Sequence, residues 1–296
     1  MKFTLLTLSL LTATFAYGQT CPADPNQLIL GGPWAFQLHT GSYAAQAVDM
    51  RPRPSTIDSV RDMRGTPQAP GAAAIGTFTA QPGGTLTATL TESNSGEISR
   101  RATVSGRYQV YGDCSGGEIM IMLNGFAAQL EFVWTNNFTQ MLFVSDALSP
   151  RYGGNVVLTG NARRAPAGCP AGLGDAVNLL NGSTWSYRLS QAYYYAPGDA
   201  SVGTFRAFVT GGAGFLSAIE TSNTAAGLVS RQMRESGRYQ VYGDCSGGEI
   251  MLMNRAPGAV QLEYVFVGAG FDEMFLLNDD AAKAADVALA GQAFRY

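Results

Sequence analysis

SGRYQVYGDCSGGEIM, residues Ser105–Met120, returns letter for letter as Ser236–Met251. Within it Tyr108 and Val110 alternate with Arg107, Gln109 and Tyr111, and Ile119 sits between Glu118 and Met120. Period-two alternation of aromatic and β-branched residues with polar ones marks half-buried strands. The intervening Asp113-Cys114-Ser115-Gly116-Gly117 supplies turn residues. The stretch is therefore a pair of strands joined by a tight turn, present twice, with a cysteine in each turn.

The likeness of the two copies extends in both directions. Upstream, Cys21-Pro22 matches Cys169-Pro170, Trp34 matches Trp185, and Gly76-Thr77-Phe78 matches Gly203-Thr204-Phe205. Downstream, Gln129–Phe132 matches Gln261–Tyr264, Met141–Asp146 matches Met274–Asp279, and Gly160-Asn161-Ala162 matches Gly291-Gln292-Ala293. This period is too long for a solenoid repeat or a propeller blade. Two whole domains stand in tandem, over 19–164 and 165–296, joined near 161–168 by a segment short enough to bring them into contact. The first copy carries an insertion over 41–74, with Arg51-Pro52-Arg53-Pro54 and a helix-start pattern at Ser55–Asp58. The second copy has Tyr193-Tyr194-Tyr195 in that place.

Further alternation appears at Trp34, Phe36 and Leu38, and at Leu86, Ala88 and Leu90. Registering the strands across their turns gives two faces. One carries Tyr108, Val110, Ile119, Leu130, Phe132 and Trp134; the other carries Arg107, Gln109, Glu118, Met120, Met122 and Glu131. The second copy repeats the division, with Tyr239, Tyr264 and Phe266 opposite Arg238, Glu249 and Glu263. A sheet with one apolar face must bury it. The expected fold is all-β: two small antiparallel β-barrels in tandem, with paired β-sandwiches as the alternative.

Met1-Lys2, the apolar run Phe3–Ala16 and the small-residue exit Ala16-Tyr17-Gly18 read as a secretory signal peptide over 1–18. That core is shorter than the roughly 20 apolar residues of a membrane span, so no span is expected. An even cysteine count in an exported chain reads as disulfides. Four cysteines allow three pairings, and pairing within copies, Cys21 with Cys114 and Cys169 with Cys245, keeps each unit self-contained. A net charge of −3 with 14% charged residues argues against a nucleic-acid partner, which needs a basic field.

Gly32-Pro33-Trp34 at the first strand resembles the Gly-x-Trp that opens a lipocalin. Arg163 or Arg164 in the first copy, and Arg295 in the second, sit where a lipocalin's last strand brings an arginine against that tryptophan. Gly182-Ser183-Thr184-Trp185 departs from the pattern by one residue. The chain thus resembles a calycin-type barrel, and also the allene-oxide-cyclase-like barrels. The first resemblance implies an interior for a small apolar ligand. The second implies a cyclase or isomerase that would use Arg107 and Glu131, with Arg238 and Glu263, inside the barrels.

Chemistry is otherwise sparse. His39 is the sole histidine, so Ser–His catalysis and tetrahedral zinc are not expected, and no cofactor motif is present. Gly211-Gly212-Ala213-Gly214 lacks the lysine and hydroxyl of a phosphate loop and reads as a hairpin. Arg107 with Glu131 is equally a solvated cross-strand pair. The ligand-binding candidates are Trp34, Phe36, Phe78, Tyr108, Phe132 and Trp134, with Trp185, Tyr187, Phe205, Tyr239, Tyr264 and Phe266 in the second copy. Those rings serve equally as filling for a small barrel. Met120, Met122, Met251 and Met253 on the outer face are candidates for self-association. Three readings follow: an exported non-catalytic barrel protein that binds a small apolar ligand or serves as a surface component, a cyclase, and an adhesin or assembly subunit. Asn137-Phe138-Thr139 and Asn181-Gly182-Ser183 are glycosylation sequons in a eukaryotic host.

Overall fold

Strands that are apolar on one side and polar on the other lose their exposed edges only by closing on themselves. Both copies do so. The computed structural model describes residues 21–40, 72–94, 97–123, 126–147, 158–191, 200–223, 229–253, 259–278 and 289–296. The first barrel comprises β1 (Pro33–Thr40), β2 (Ala72–Gln81), β3 (Thr85–Asn94), β4 (Glu97–Val110), β5 (Gly116–Leu123), β6 (Phe126–Thr135), β7 (Gln140–Ala147) and β8 (Leu158–Arg164). The second comprises β9 (Thr184–Gln191), β10 (Ala200–Thr210), β11 (Ala213–Asn223), β12 (Val229–Val241), β13 (Gly247–Leu252), β14 (Val260–Val267), β15 (Glu273–Asn278) and β16 (Leu289–Arg295). Within each barrel every strand pairs antiparallel with its sequence neighbours, and first pairs with last to close the barrel. The sandwich alternative is thereby overturned: β1 bonds β8 from Trp34↔Arg164 to Thr40↔Leu158, leaving no second sheet.

Duplication extends to irregularities. The β3–β4 ladder shifts register between Leu90 and Glu92, and β11–β12 shifts between Glu220 and Ser222. Within each bulge, opposite Thr91 and Thr221, Arg101 (φ 45°) and Gln232 (φ 51°) take left-handed backbone. Their N–H groups donate to Thr91 Oγ1 and Thr221 Oγ1 at 2.9 and 3.2 Å. Inside, aromatic rings lie across strand glycines. A Cβ at Gly117 would meet Phe132 Cζ at 2.7 Å, and one at Gly248 would meet Tyr264 Cζ at 2.7 Å. Gly117 and Gly248 leave room for a large ring from the neighbouring strand, while Gly116 and Gly247 lie close to that strand's backbone at Phe132 O and Tyr264 O.

One end of each barrel is crossed by the segment that precedes its first strand. In the first copy this segment is tied down by Cys21–Cys114 and turns through a short 3-10 helix, Pro25–Leu28, capped by Asp24. Trp34 Nε1 donates to Ile29 O at 2.9 Å. The Arg164 guanidinium lies 4.1 Å over the Trp34 ring and donates to Leu28 O and Leu30 O at 2.9 and 2.8 Å. In the second copy Cys169–Cys245 and a 3-10 helix at Ala176–Leu179 do the same work. There Trp185 Nε1 donates to Ser183 Oγ at 2.8 Å, and Arg295, opposite Trp185 in register, is exposed. Arg164→Lys keeps the charge but loses the stacked fork, and should destabilise the first barrel by about 2 kcal/mol. Chemical denaturation of the variant checks this, and an unchanged midpoint would remove Arg164 from the cap.

The barrels pack side to side. Ala35, Ala73 and Ile75 on the outside of the first meet Val265, Val267, Phe275, Leu277 and Ala290 on the outside of the second, all of them buried. Gln37 Nε2 reaches across to Leu276 O and Gly291 O, at 3.4 and 3.1 Å. Thr91 donates its hydroxyl to the Glu263 carboxylate, and Arg163 pairs with Glu273. Burial raises the Glu273 carboxyl above its ordinary range while Arg163 draws it back down. Arg101 lies 3.7 Å over the Tyr242 ring and 3.5 Å from Asp244.

Several expectations change. Glu263 belongs to the outward stripe expected to stay wet, but the first barrel covers it to 4% exposure. Trp134 is half-buried rather than enclosed. The insertion ends before Ala72, since 72–74 belong to β2, and β8 takes 161–164 from the expected linker. The helix start at Ser55, the Tyr193–Tyr195 run and the leader over 1–18 lie outside the described residues.

Candidate functional site

Three groups of residues invite a functional reading. The first is the aromatic interior. Trp34, Phe36, Phe78, Tyr108 and Phe132 are buried in the first barrel, as are Trp185, Tyr187, Phe205, Tyr239 and Tyr264 with Phe266 in the second. Most of these rings lie against another ring. Trp34 stacks on Phe78 at 6.3 Å between centroids, and Phe132 meets Trp134 edge-on at 5.1 Å. Trp185 stacks on Phe205 at 6.1 Å, and Tyr264 meets Phe266 edge-on at 5.2 Å. Three interior phenols donate to backbone: Tyr108 to Gln81 O, Tyr239 to Val177 O, and Tyr264 to Gln240 O, at 2.9, 3.0 and 3.0 Å.

Burial pushes the Tyr239 phenol from 10 up to about 12 and Tyr264 well above 10. An acid whose pKa rises on folding stabilises the fold only while protonated. Stability should therefore hold below pH 10 and fall as the pH climbs through about 12. Thermal melts across that window should show the fall, and Tyr239→Phe should flatten it. An equal slope in the variant would mean the phenol does not carry the effect.

The second group is the charged set. Arg107, Glu131 and Arg238 point outward and are exposed, while Glu263 is outward but buried between the barrels. Tyr111 lies between Glu118 and Glu131, its hydroxyl 3.4 and 3.2 Å from their carboxylates, with its phenol raised to about 12. Arg238 lines an open surface groove of about 390 Å³ with Glu249 and Met251. These outward placements correct the interior Arg–Glu pairs that a cyclase reading needs. The alternation that buries Tyr108 and Tyr239 necessarily turns Arg107 and Arg238 out.

The third group went unrecognised in the sequence. The shared register aligns Phe36 with Tyr187, Ala74 with Ser201, Leu90 with Glu220 and Val104 with Glu235. At these four positions the second barrel is polar where the first is apolar, while the first barrel buries Glu92 opposite Ala74. Tyr187 donates to Glu220 Oε2 at 2.7 Å, and Glu235 faces Ala218, placing the two carboxylates diagonally on adjacent strands. Ser201, Glu220 and Glu235 are all buried, and Ser201 Oγ has no hydrogen-bond partner among the described residues. Carrying the repeat alignment back from Gly106 and Gly237 would have found the exchange.

Among the described residues, no group of three or more histidine, cysteine or acidic side chains is placed to hold a metal ion, and no helix is long and apolar enough to cross a membrane. Met120, Met122 and Met251 stand exposed on the outer faces, with Met253 half-buried.

No protein-family model matches the chain, and no curated protein matches it. Solved structures do. A redesigned β-barrel, b11L5F_LGL, is 16% identical, with 41% of this chain and 96% of that chain covered and a TM-score of 0.29. Transferrin Binding Protein B from Haemophilus parasuis Hp5 is 9% identical, with 90% and 76% covered and a TM-score of 0.29. The isotype 1 protein of that name from serogroup B Neisseria meningitidis is 11% identical, with 77% and 53% covered and a TM-score of 0.32. The barrel assignment rests on the strand pairing itself.

Proposed function

We propose that the chain is an exported, non-catalytic structural or surface component whose barrels are rigid scaffolds and whose work is done on their outer faces. One observation carries this reading: the interior aromatics are packed on one another, while the charged set that an enzyme would enclose is turned outward. Export is supported by the leader pattern over 1–18 and by two disulfides, which persist in oxidising compartments. Native mass spectrometry of protein purified from its own source tests the reading. The expected species has both disulfides and no small molecule; a stoichiometric apolar ligand retained by the chain would overturn it.

A second reading is favoured by the interior exchange in the second barrel. Tyr187, Ser201, Glu220 and Glu235 would hold a small polar molecule where the first barrel has Phe36, Ala74, Leu90 and Val104, with Glu92 as its buried carboxylate beside them. The same spectra separate the two: a polar adduct present in the native chain and absent after Ser201→Val would favour binding.

A further inference from the structure

The contact between the barrels uses different faces of the two copies. The first barrel offers the outside of β1–β3, and the second offers the outside of β14–β16. Each copy therefore has an equivalent of the face its twin uses, and among the described residues nothing packs on that equivalent. By register, Val133, Leu142 and Val144 of the first barrel stand where the second has Val265, Phe275 and Leu277. The members of the covered set are at most 6% exposed; their free counterparts are 54%, 44% and 43% exposed. Likewise Val202 in β10, 58% exposed, stands where the first barrel has Ile75 at 0%.

Exposed large apolar residues sort by this rule. Apart from methionines, those of the first barrel lie on β6–β7, and those of the second lie on β10–β12, with Phe294 of β16 and Tyr296 at the chain end. The polar partners have counterparts as well. Thr221 stands for Thr91 and Glu131 for Glu263, so the hydroxyl–carboxylate pair can form again. Arg188, which here donates to Gln292 Oε1 at 3.0 Å, stands at the position from which Gln37 donates to the opposite backbone. The two free faces also differ in charge, with Arg188, Arg206 and Arg234 on one and Glu118 and Glu131 on the other.

We infer that a second copy of this chain docks there: the free face of the second barrel packs on the free face of the first barrel of the next chain, repeating the internal contact between molecules. The two faces are unlike, so the contact is heterologous, and repetition gives a ring if the rotation closes and a filament if it does not. Smaller side chains, Val for Ile at 202 and Leu for Phe at 142, make it weaker than the internal one. The internal contact also gains from the high effective concentration of a short linker. Association is thus reversible and concentration-dependent. The inference gives the structural reading its partner, but its test is independent of ligand content.

Sedimentation velocity on the full chain, from about 1 µM to about 1 mM, provides that test. The native chain should shift to larger species across the range. Val202→Asp blocks one face and Val144→Asp the other; both positions are exposed, so each variant should fold, as circular dichroism will show. Each alone should stay monomeric at every concentration. Mixed in equal amounts, they retain one compatible pair of faces and should stop at a dimer. A native chain that stays monomeric overturns the inference. So does a variant that still associates alone, through the methionine face or any other, or a mixture that remains monomeric.

Discussion

Phe275→Asp should uncouple the two barrels while leaving each folded. Phe275 is 0% exposed, yet it points away from its own barrel's interior and into the hydrophobic layer shared with Ala35 and Ile75. Truncating a buried phenylalanine costs about 3–5 kcal/mol, and a carboxylate placed in that layer is desolvated while the neighbouring cation, Arg163, is already paired with Glu273. Neither barrel's interior packing is touched, so the loss falls on the contact between them. Calorimetry should resolve two transitions in the variant where the native chain shows one. Limited proteolysis should open the Ala165–Gly168 connection. A single, unshifted transition would show that the contact contributes little to stability.

Cys245→Ser should act on the second barrel alone. The bond to Cys169 closes a loop of 76 residues and pins the capping segment across the barrel end. On the chain-entropy account, releasing a loop of that length costs about 4 kcal/mol. For a domain of this size that lowers the melting temperature by about 15 °C. Cys114→Ser should do the same to the first barrel, whose bond spans 93 residues. Thermal melts of each variant, with Cys169 or Cys21 also changed to serine, measure the effect. A drop below about 1 kcal/mol would mean that the capping contacts hold without the tether.

The repeat made most of the fold legible. Identical segments around Cys114 and Cys245 fixed two copies, and alternation through Tyr108, Val110 and Ile119 fixed which stripe goes inside. Both disulfides pair within copies, as the repeat implies. The sequence favoured barrels over sandwiches and the strand pairing bears that out, although closure turns on β1 reaching β8, which alternation alone does not specify. Glu263 was misread for a related reason. Seen along its strand it is an outward polar residue like Glu131, and only the neighbouring barrel distinguishes them.

A signal for that contact was present but ambiguous. Strands buried on both sides lose alternation, and Met274–Leu277 is buried at every position. Met141–Val144 is as apolar in sequence, yet Leu142 and Val144 stand exposed. Composition marks both faces as suited to contact and is silent on which one the twin covers. The acidic interior of the second barrel was legible in principle, since Leu90 and Val104 against Glu220 and Glu235 is a departure between copies that strand periodicity does not require.

First and last strands are neighbours in each barrel, β1 beside β8 and β9 beside β16. The polypeptide therefore enters and leaves each unit at nearly one place, which is the geometry that tolerates circular permutation. Fresh ends cut at the Gly211-Gly212 hairpin, with the old ones joined, would keep every ladder intact. A gene encoding one such unit can be copied in line without rethreading the fold, which gives this two-unit chain a plain evolutionary route.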